Sequence, residues 1–87
     1  MKIKDGFILR EVAGSYIVVA VGEAVKNFNG IINLNETGAF LWKILETGGT
    51  KEDLVSKLCA EYEVDENTAA TDVDKFINNL SEAGLVK

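Results

Sequence analysis

A strand-to-helix junction decides the fold of this chain: Leu34-Asn35-Glu36-Thr37-Gly38-Ala39-Phe40-Leu41-Trp42. Asn35 can turn its side-chain oxygen onto the free amides of the next turn, and Glu36 suits the positive end of a helix. Four apolar residues at helical spacing are expected to form one buried face: Phe40, Leu41, Ile44 and Leu45. The segment therefore predicts a short apolar strand that passes directly into an amphipathic helix.

The first third of the chain is predicted to be β structure. Residues 7–12 and 16–21 are rich in β-branched and aromatic side chains. The short segment Ala13-Gly14-Ser15 between them suits a tight antiparallel hairpin. A third apolar run, residues 30–34, ends at the helix cap.

The partner of this third strand is open at this point. Asn29-Gly30 is a two-residue hairpin signal that would pair residues 25–28 with residues 31–34. A longer hairpin would instead place residues 31–34 beside residues 16–21, and we favour this second arrangement. The segment 23–29 is ambiguous on sequence alone.

Three helices are predicted after the sheet. The first runs from Glu36 to Glu46 and ends at Gly48-Gly49, whose freedom at positive φ suits a helix terminus. The second begins at Thr50, where Thr50-Lys51-Glu52-Asp53 resembles a capping box. Its inward side chains are expected to face the first helix: Leu54, Val55, Leu58, Cys59 and Tyr62.

The third helix is predicted to start after Asp65 as its cap and to end at Gly84. Six residues form one broad apolar stripe: Ala69, Val73, Phe76, Ile77, Leu80 and Ala83. If Gly84 is the left-handed residue after the cap, Leu80 and Leu85 touch in a Schellman motif. Together the elements predict an α+β fold, a three-stranded antiparallel sheet followed by three helices.

Composition indicates one small folded domain over residues 1–87. Hydrophobic residues make up 47% of the chain and charged residues 26%, and no apolar run approaches the roughly 18 residues of a membrane span. The first residues, Met1–Gly6, lack the long apolar region and cleavage site of a signal peptide. We therefore expect a cytoplasmic protein with no membrane partner.

Charge and residue usage exclude several classes of function. The net charge of −5 disfavours nucleic acid, whose phosphate backbone requires a basic face. The chain has no histidine and one cysteine, so it cannot build a Ser-His or Cys-His triad or a zinc site of histidines or several cysteines. Cys59 lies at helical spacing with Val55 and Tyr62, which is typical of a buried structural thiol. We expect no catalytic residue, no metal site, no cofactor and no enzymatic activity.

The edge of the third strand is the first candidate site. Ile31–Leu34 would have one neighbour in the sheet and an open row of amides and carbonyls on its other side. Exposed strand edges are commonly protected by lysine, proline or a bulge, and this strand has none of these. An extended peptide can add to such an edge as a further strand. The alternative is that a loop of the protein or a dimer partner covers the edge.

One stripe of the third helix is the second candidate. Asp72, Phe76 and Asn79 lie four and three residues apart and share a helix face beside the core stripe. Lys75 adds a donor for an acidic ligand group. Phe76 has two interpretations: a core aromatic with no functional role, or a groove-lining residue that anchors an apolar side chain of a bound peptide.

Four segments together resemble the coenzyme PQQ synthesis protein D (PqqD) family. They are Gly14-Ser15-Tyr16-Ile17-Val18-Val19, the junction of residues 34–42, Tyr62-Glu63-Val64-Asp65 and Gly84-Leu85-Val86. The resemblance covers almost the whole chain, and the Leu-Asn-Glu-Thr-Gly block leading into Leu-Trp is its most specific part.

The resemblance implies a winged-helix-like domain that binds the leader segment of a ribosomally made precursor peptide. Such a domain presents the leader to a modifying enzyme, often a radical S-adenosylmethionine (SAM) maturase. The leader would add to the third strand and lie against the third helix. The implied peptide-binding residues are Ile31, Ile32, Asn33 and Leu34 on the strand and Asp72, Lys75, Phe76 and Asn79 on the helix.

Two other functions compete with this interpretation. Strands followed by three helices can also form a small winged-helix DNA-binding domain, but its reading helix would need exposed basic residues, and the third helix offers Lys75 alone. The second competitor is an adaptor that forms a homodimer through the same strand edge.

Overall fold

The computed structural model describes residues 1–26, 28 and 30–87. Its order of elements is three strands and then three helices, with one 3-10 turn over Gly22–Lys26. The elements are β1 (Phe7–Val12), β2 (Ser15–Ala20), β3 (Ile31–Leu34), α1 (Glu36–Thr47), α2 (Lys51–Tyr62) and α3 (Glu66–Glu82). The strands form one antiparallel sheet in the order β1-β2-β3. The predicted α+β fold is confirmed.

The β1-β2 hairpin is tighter than predicted. Val12 pairs with Ser15, so the loop has two residues, Ala13 and Gly14, and β2 starts one residue earlier than expected. Ala13 has a φ of 51° and Gly14 a φ of 82°. Two successive residues at positive φ are the signature of a type I′ turn, whose twist matches that of the flanking strands.

The third strand pairs with β2, as we favoured. Val18 lies opposite Ile32 in this ladder. The other arrangement, which paired residues 25–28 with residues 31–34, is wrong at Val25 and Lys26, because both belong to the 3-10 turn. Asn27 of that arrangement lies outside the described residues. The hairpin signal at Asn29-Gly30 involves Asn29, which lies outside the described residues.

Helix α1 starts where the junction predicts, but its buried face is rotated from the expected one. The Asn35 side chain accepts a hydrogen bond of 2.7 Å from the Gly38 amide, which confirms the cap. Leu41, Trp42 and Leu45 are fully buried, whereas Phe40 and Ile44 are only half-buried. With Gly38 these three residues follow the i, i+3, i+4, i+7 pattern, and Ala39 is buried beside them, which leaves Phe40 and Ile44 at the rim.

Helix α2 confirms the capping box and corrects its expected partner. Thr50 and Asp53 exchange two hydrogen bonds of 3.0 and 3.1 Å between backbone amides and side chains. The helix packs more extensively against α3 than against α1, contrary to the prediction. Leu54 and Leu58 are its buried residues, and Cys59, expected to be buried, is half-buried.

Helix α3 confirms its predicted start and end. Asp65 caps it by accepting a 2.6 Å hydrogen bond from the Thr68 amide. The Leu85 amide donates to the Leu80 carbonyl at 2.9 Å and the Gly84 amide donates to the Ser81 carbonyl at 3.1 Å, the two bonds of a Schellman motif. The stripe prediction is wrong at Ala83, which is exposed because it is the C-cap, beyond the last full turn.

The chain termini form a contact that the sequence did not predict. Ile3 is 6% exposed and pairs with Val86 in an isolated antiparallel bridge. The Ile3 amide also donates to the Leu45 carbonyl of α1 at 3.1 Å. The first residues therefore close the core under α1 and the end of α3.

Candidate functional site

Strand β3 forms one edge of the sheet. Its inner side pairs with β2, and no other strand among the described residues pairs with its outer side. All four residues of β3 are uncharged. Which of its backbone groups point outward follows from the hydrogen-bond alternation of the two ladders.

The alternation in the β1-β2 ladder can be fixed at both ends. At the turn, Val12 and Ser15 close a type I′ hairpin and therefore form a hydrogen-bonded pair. At the other end, the Val21 amide donates to the Gly6 carbonyl at 2.7 Å. Both observations place odd-numbered β2 residues, such as Ile17, in hydrogen bonds with β1.

The even-numbered residues of β2 therefore bond to β3. Tyr16 pairs with Leu34 and Val18 with Ile32, so the amides and carbonyls of Ile32 and Leu34 point inward. Those of Ile31 and Asn33 point to the outer edge. The four predicted strand residues thus divide into two with outward backbone groups and two without.

A groove of about 310 Å³ runs beside this edge, between β3 and α3. Its lining comes from β3, the junction, α1 and α3: Asn33, Leu34, Asn35, Thr37, Gly38, Leu41, Asp72, Lys75, Phe76 and Asn79. All four predicted α3 residues line it, together with Asn33 and Leu34. Ile31 and Ile32 lie on the same strand but do not line the groove.

Phe76 fits both of its interpretations. It is 7% exposed and belongs to the hydrophobic core, and it also lines the groove. With Leu34 and the buried Leu41 it gives the groove an apolar surface. The groove can therefore take an apolar side chain.

The junction contributes groove residues that sequence reasoning missed as site residues: Asn35, Thr37, Gly38 and Leu41. A Cβ added at Gly38 would lie 3.1 Å from Asn35 Oδ1 and 3.4 Å from Leu34 Cβ, so a larger residue would crowd both the cap and the groove wall. Their position in the sequence could have identified them. A helix that directly follows an edge strand must start beside the end of that strand, so its first residues lie next to the open edge.

The groove carries charges of both signs. Asp72 and Lys75 are exposed on α3, and neither belongs to an ion pair among the described residues. Elsewhere on α3, Asp74 pairs with Lys51 of α2 at 2.6 Å. Asp72 and Lys75 are therefore available to polar or charged groups of a ligand.

The clear pKa shifts lie at helix ends. The backbone and hydroxyl of Thr68 donate to Asp65 and lower the pKa of its carboxyl below the ordinary value. Thr50 lowers the pKa of Asp53 in the same way. Burial and the neighbouring Glu36 raise the pKa of Tyr62. These shifts accompany helix caps and packing.

The sequence profile of coenzyme PQQ synthesis protein D (PqqD) matches residues 8–86. The chain belongs to the PqqD family. Comparison with curated proteins gives no match.

Two solved structures share the PqqD-like fold of this chain. TbiB1 in complex with the TbiA(beta) leader peptide is 26% identical, with a TM-score of 0.79 over 100% of this chain and 95% of that one. A lasso peptide synthetase B1 complexed with the leader peptide is 21% identical, with a TM-score of 0.74 over 97% and 93%. The second, at that identity, bears on the fold alone.

Two properties of the described residues bear on membranes and metals. No helix there has both the length and the apolar character to cross a bilayer. No group of three or more histidine, cysteine, aspartate or glutamate side chains is placed there to hold a metal ion.

Proposed function

We propose that this PqqD-family protein captures the leader of a ribosomally made precursor peptide and presents it to a modifying enzyme. The observation that carries the proposal is the open edge of β3 beside the groove of α3. The edge offers main-chain hydrogen bonds, and the groove offers a place for side chains. The 26% identical neighbour, TbiB1, is a complex with a leader peptide, which supports the same class of ligand.

The leader binds as a fourth strand in this proposal. Ile31 and Asn33 supply the backbone hydrogen bonds, because their amides and carbonyls point outward. Ile32 and Leu34 contribute side chains on the helix side of the sheet.

Helix α3 contacts the side chains of the leader and selects among them in this proposal. Phe76 packs against an apolar side chain of the leader, within the groove that Leu34 and Leu41 also line. Asp72, Lys75 and Asn79 meet its polar or charged groups.

The protein is a binding module without catalysis of its own in this proposal. It acts in the cytoplasm as one peptide-recognition domain over residues 1–87, without a cofactor. The modifying enzyme is of the radical SAM type, which is the enzyme class that the family resemblance implies.

Selection from a displayed library of random peptides tests the proposal without knowledge of the natural precursor. The chain is immobilised, binders are enriched, and the strongest is titrated into the isotope-labelled protein. We expect amide shifts at Ile31–Leu34 and at Phe76. Failure to enrich any binder, or shifts confined to α1 and α2, would contradict leader capture at this site.

The two competing functions have their own measurements. A salt-sensitive complex with duplex DNA at low micromolar protein would favour the winged-helix DNA-binding alternative, which the net charge of −5 opposes. A mass that rises with protein concentration and falls when a selected peptide binds would favour the homodimeric adaptor.

A further inference from the structure

The two faces of the sheet differ in what covers them. Paired residues lie on the same face of an antiparallel sheet. Leu9, Val18 and Ile32 form one cross-strand row and face the helices, where they contact or belong to the core. The neighbouring row therefore faces away from the helices.

This outer row is apolar and ends at the open edge. It consists of Ile8, Val19 and Ile31, in that order from β1 to β3. Ile31 is 59% exposed, which is the highest value among the large hydrophobic residues that the structure describes. Val19 lies on one side of Ile31, and the open edge lies on the other.

The next outer row differs in character. Arg10, Ile17 and Asn33 form it, so its position at the open edge is polar. The outer face carries no carboxylate on any of the three strands, although the chain has 14 acidic residues. An apolar position and a polar position thus follow each other along the outer side of β3.

We infer that Ile31 is a specificity-determining residue that selects a β-branched or aromatic leader residue directly opposite it on the outer face of the sheet. The inference rests on the proposed strand addition. A strand added to β3 must place one of its side chains beside Ile31, because Ile31 supplies outward backbone groups. Cross-strand pairs of β-branched and aromatic residues stabilise such a contact.

Side chains alternate between the two faces along a strand, so a leader residue opposite Ile31 and a leader residue in the α3 groove must have a defined spacing in the leader sequence. The residue opposite Ile31 lies on the outer face, whereas residues opposite Ile32 and Leu34 point toward the groove of α3. These positions differ by one or three along the peptide. The leader therefore carries two apolar residues separated by an odd number of positions, one for Ile31 and one for Phe76. The rule holds for parallel and antiparallel addition.

The test is a double-mutant cycle between Ile31 and the selected peptide. Each apolar position of the peptide is changed to threonine and its affinity is measured against wild type and Ile31→Thr. We expect one position to couple to Ile31 by about two- to fivefold in Kd, the range of a cross-strand pair. Contacts from the Phe76 ring protons, observed by NMR, then identify the groove residue of the peptide, and the separation should be odd.

The matched control is Val12→Thr. Val12 is 53% exposed and lies on the same outer face, but on β1, away from the proposed leader strand. Its cycle should show no coupling. A second selection against Ile31→Lys should replace the apolar peptide residue by an acidic one. Threonine keeps the β-branched shape of isoleucine, so Ile31→Thr guards against a folding defect in Ile31→Lys.

The outcomes separate this inference from the proposed function. A peptide that shifts the Ile31 and Asn33 amides but couples to Ile31 at no position, or with an even separation from the groove residue, would overturn the inference alone. Equal coupling at Val12 would do the same. If the exposed Ile31 instead serves a second copy of this chain, Ile31→Lys would abolish a concentration-dependent mass, which overturns the inference. Absence of any binder overturns it together with leader capture.

Discussion

The sheet has two edges with the same backbone chemistry and different surroundings. At the β1 edge the outward amides belong to Phe7, Leu9 and Glu11, by the same alternation that exposes those of Ile31 and Asn33 on β3. The β1 edge is longer, with six residues against four. Length therefore does not explain which edge suits a ligand.

The β1 edge differs from the β3 edge in its charged residues and in the segment that packs over its start. Arg10 and Glu11 lie within this strand, and charged side chains are a common protection of exposed edges. At its start, Phe7 packs edge-to-face with Phe28, with ring centroids 5.6 Å apart. A Cβ on Gly6 would lie 2.6 Å from Ala24 Cβ, so the 3-10 turn closes tightly over this end.

The β3 edge has the opposite features. It carries no charge, and the groove of α3 lies directly beside it. An added strand there gains main-chain hydrogen bonds and a place for its side chains together. An edge becomes a specific binding site when a neighbouring element supplies side-chain contacts, and otherwise it is a surface to be protected.

Loss of Trp42 should affect both edges because it removes the core beneath the whole sheet. Trp42 is fully buried in the cluster that includes Val18 and Leu41. We expect Trp42→Ala to lower the free energy of unfolding by roughly 3 to 5 kcal/mol, measured by denaturant titration. Trp42→Phe is the control and should cost less, since the indole Nε1–H is buried with no partner in the described part of the chain. An unchanged denaturant midpoint for Trp42→Ala would show that its burial adds nothing.

Proline substitutions at the β3 edge and at the β1 edge test whether a peptide binds to the β3 edge alone. Asn33 and Glu11 both have outward amides, so proline at either removes no hydrogen bond within the sheet. We expect Asn33→Pro to weaken binding of a selected peptide by about 1 to 3 kcal/mol, or about 5- to 150-fold in Kd, because one peptide carbonyl loses its donor. Glu11→Pro should bind like wild type.

Ile32→Pro gives the internal check on the alternation. The Ile32 amide donates within the β2-β3 ladder, so this change should lower the free energy of unfolding more than Asn33→Pro does. Equal binding by Asn33→Pro and wild type, or greater loss with Glu11→Pro, would locate the peptide elsewhere.

The parts of the fold that depend on a few neighbouring residues were predictable from sequence. Caps are local, so Asn35, the Thr50 capping box and the Schellman motif at Gly84 are each confirmed. The order of sheet and helices follows from the change of hydrophobic period, from 2 to 3.6 residues. The bridge between Ile3 and Val86 joins the two ends of the chain, and no local pattern indicates such a contact.

Two errors of one residue show where sequence reasoning lost precision. A loop of three residues in place of Ala13-Gly14 would shift the β1-β2 register by one residue and change which amides of β2 face β3. On α1, each residue turns the helix by about 100°, so displacing the apolar face by one residue left Trp42 out of it.

The candidate site was predictable to a different degree at its two halves. The four α3 residues and Asn33 and Leu34 were named from sequence, and the structure brings them together in one groove. The division of β3 into outward and inward amides required the register of both ladders. The role of these residues in peptide binding stays a prediction.

Removal of the Asn35 cap should lower the free energy of unfolding by less than the changes above. It should loosen the β3 edge more than the β1 edge. Asn35 ends β3, starts α1 and lines the groove, whereas it is distant in the sheet order from β1. Asn35→Ala should lower the free energy of unfolding by about 1 kcal/mol, the usual loss for an N-cap. Asn35→Asp, which retains the capping oxygen, is the control. Amide exchange should accelerate at Gly38 before it does at Ile17, and the reverse order would show that the cap is not local to the β3 end.

The smallest expected effect is a local loosening of the start of α3 at acidic pH. Helix α3 lies beside the β3 edge and not beside the β1 edge. Asp65 caps α3, and its hydrogen bonds to Thr68 lower the pKa of its carboxyl in the folded state. A lowered folded pKa means that the contribution to stability is present above the unfolded pKa of 3.8 and is lost as the pH falls through the folded value. The protection factor of the Thr68 amide should therefore fall as the pH drops below about 5, through the unfolded pKa of 3.8 and then through the lower folded value. The Gly38 amide is the internal control because its acceptor, Asn35, does not titrate.

Asp65→Asn keeps an N-cap oxygen and should remove most of the pH dependence at Thr68. Parallel loss of protection at Thr68 and Gly38, unchanged in Asp65→Asn, would mean that acid acts on the whole fold and not on the cap of the groove helix.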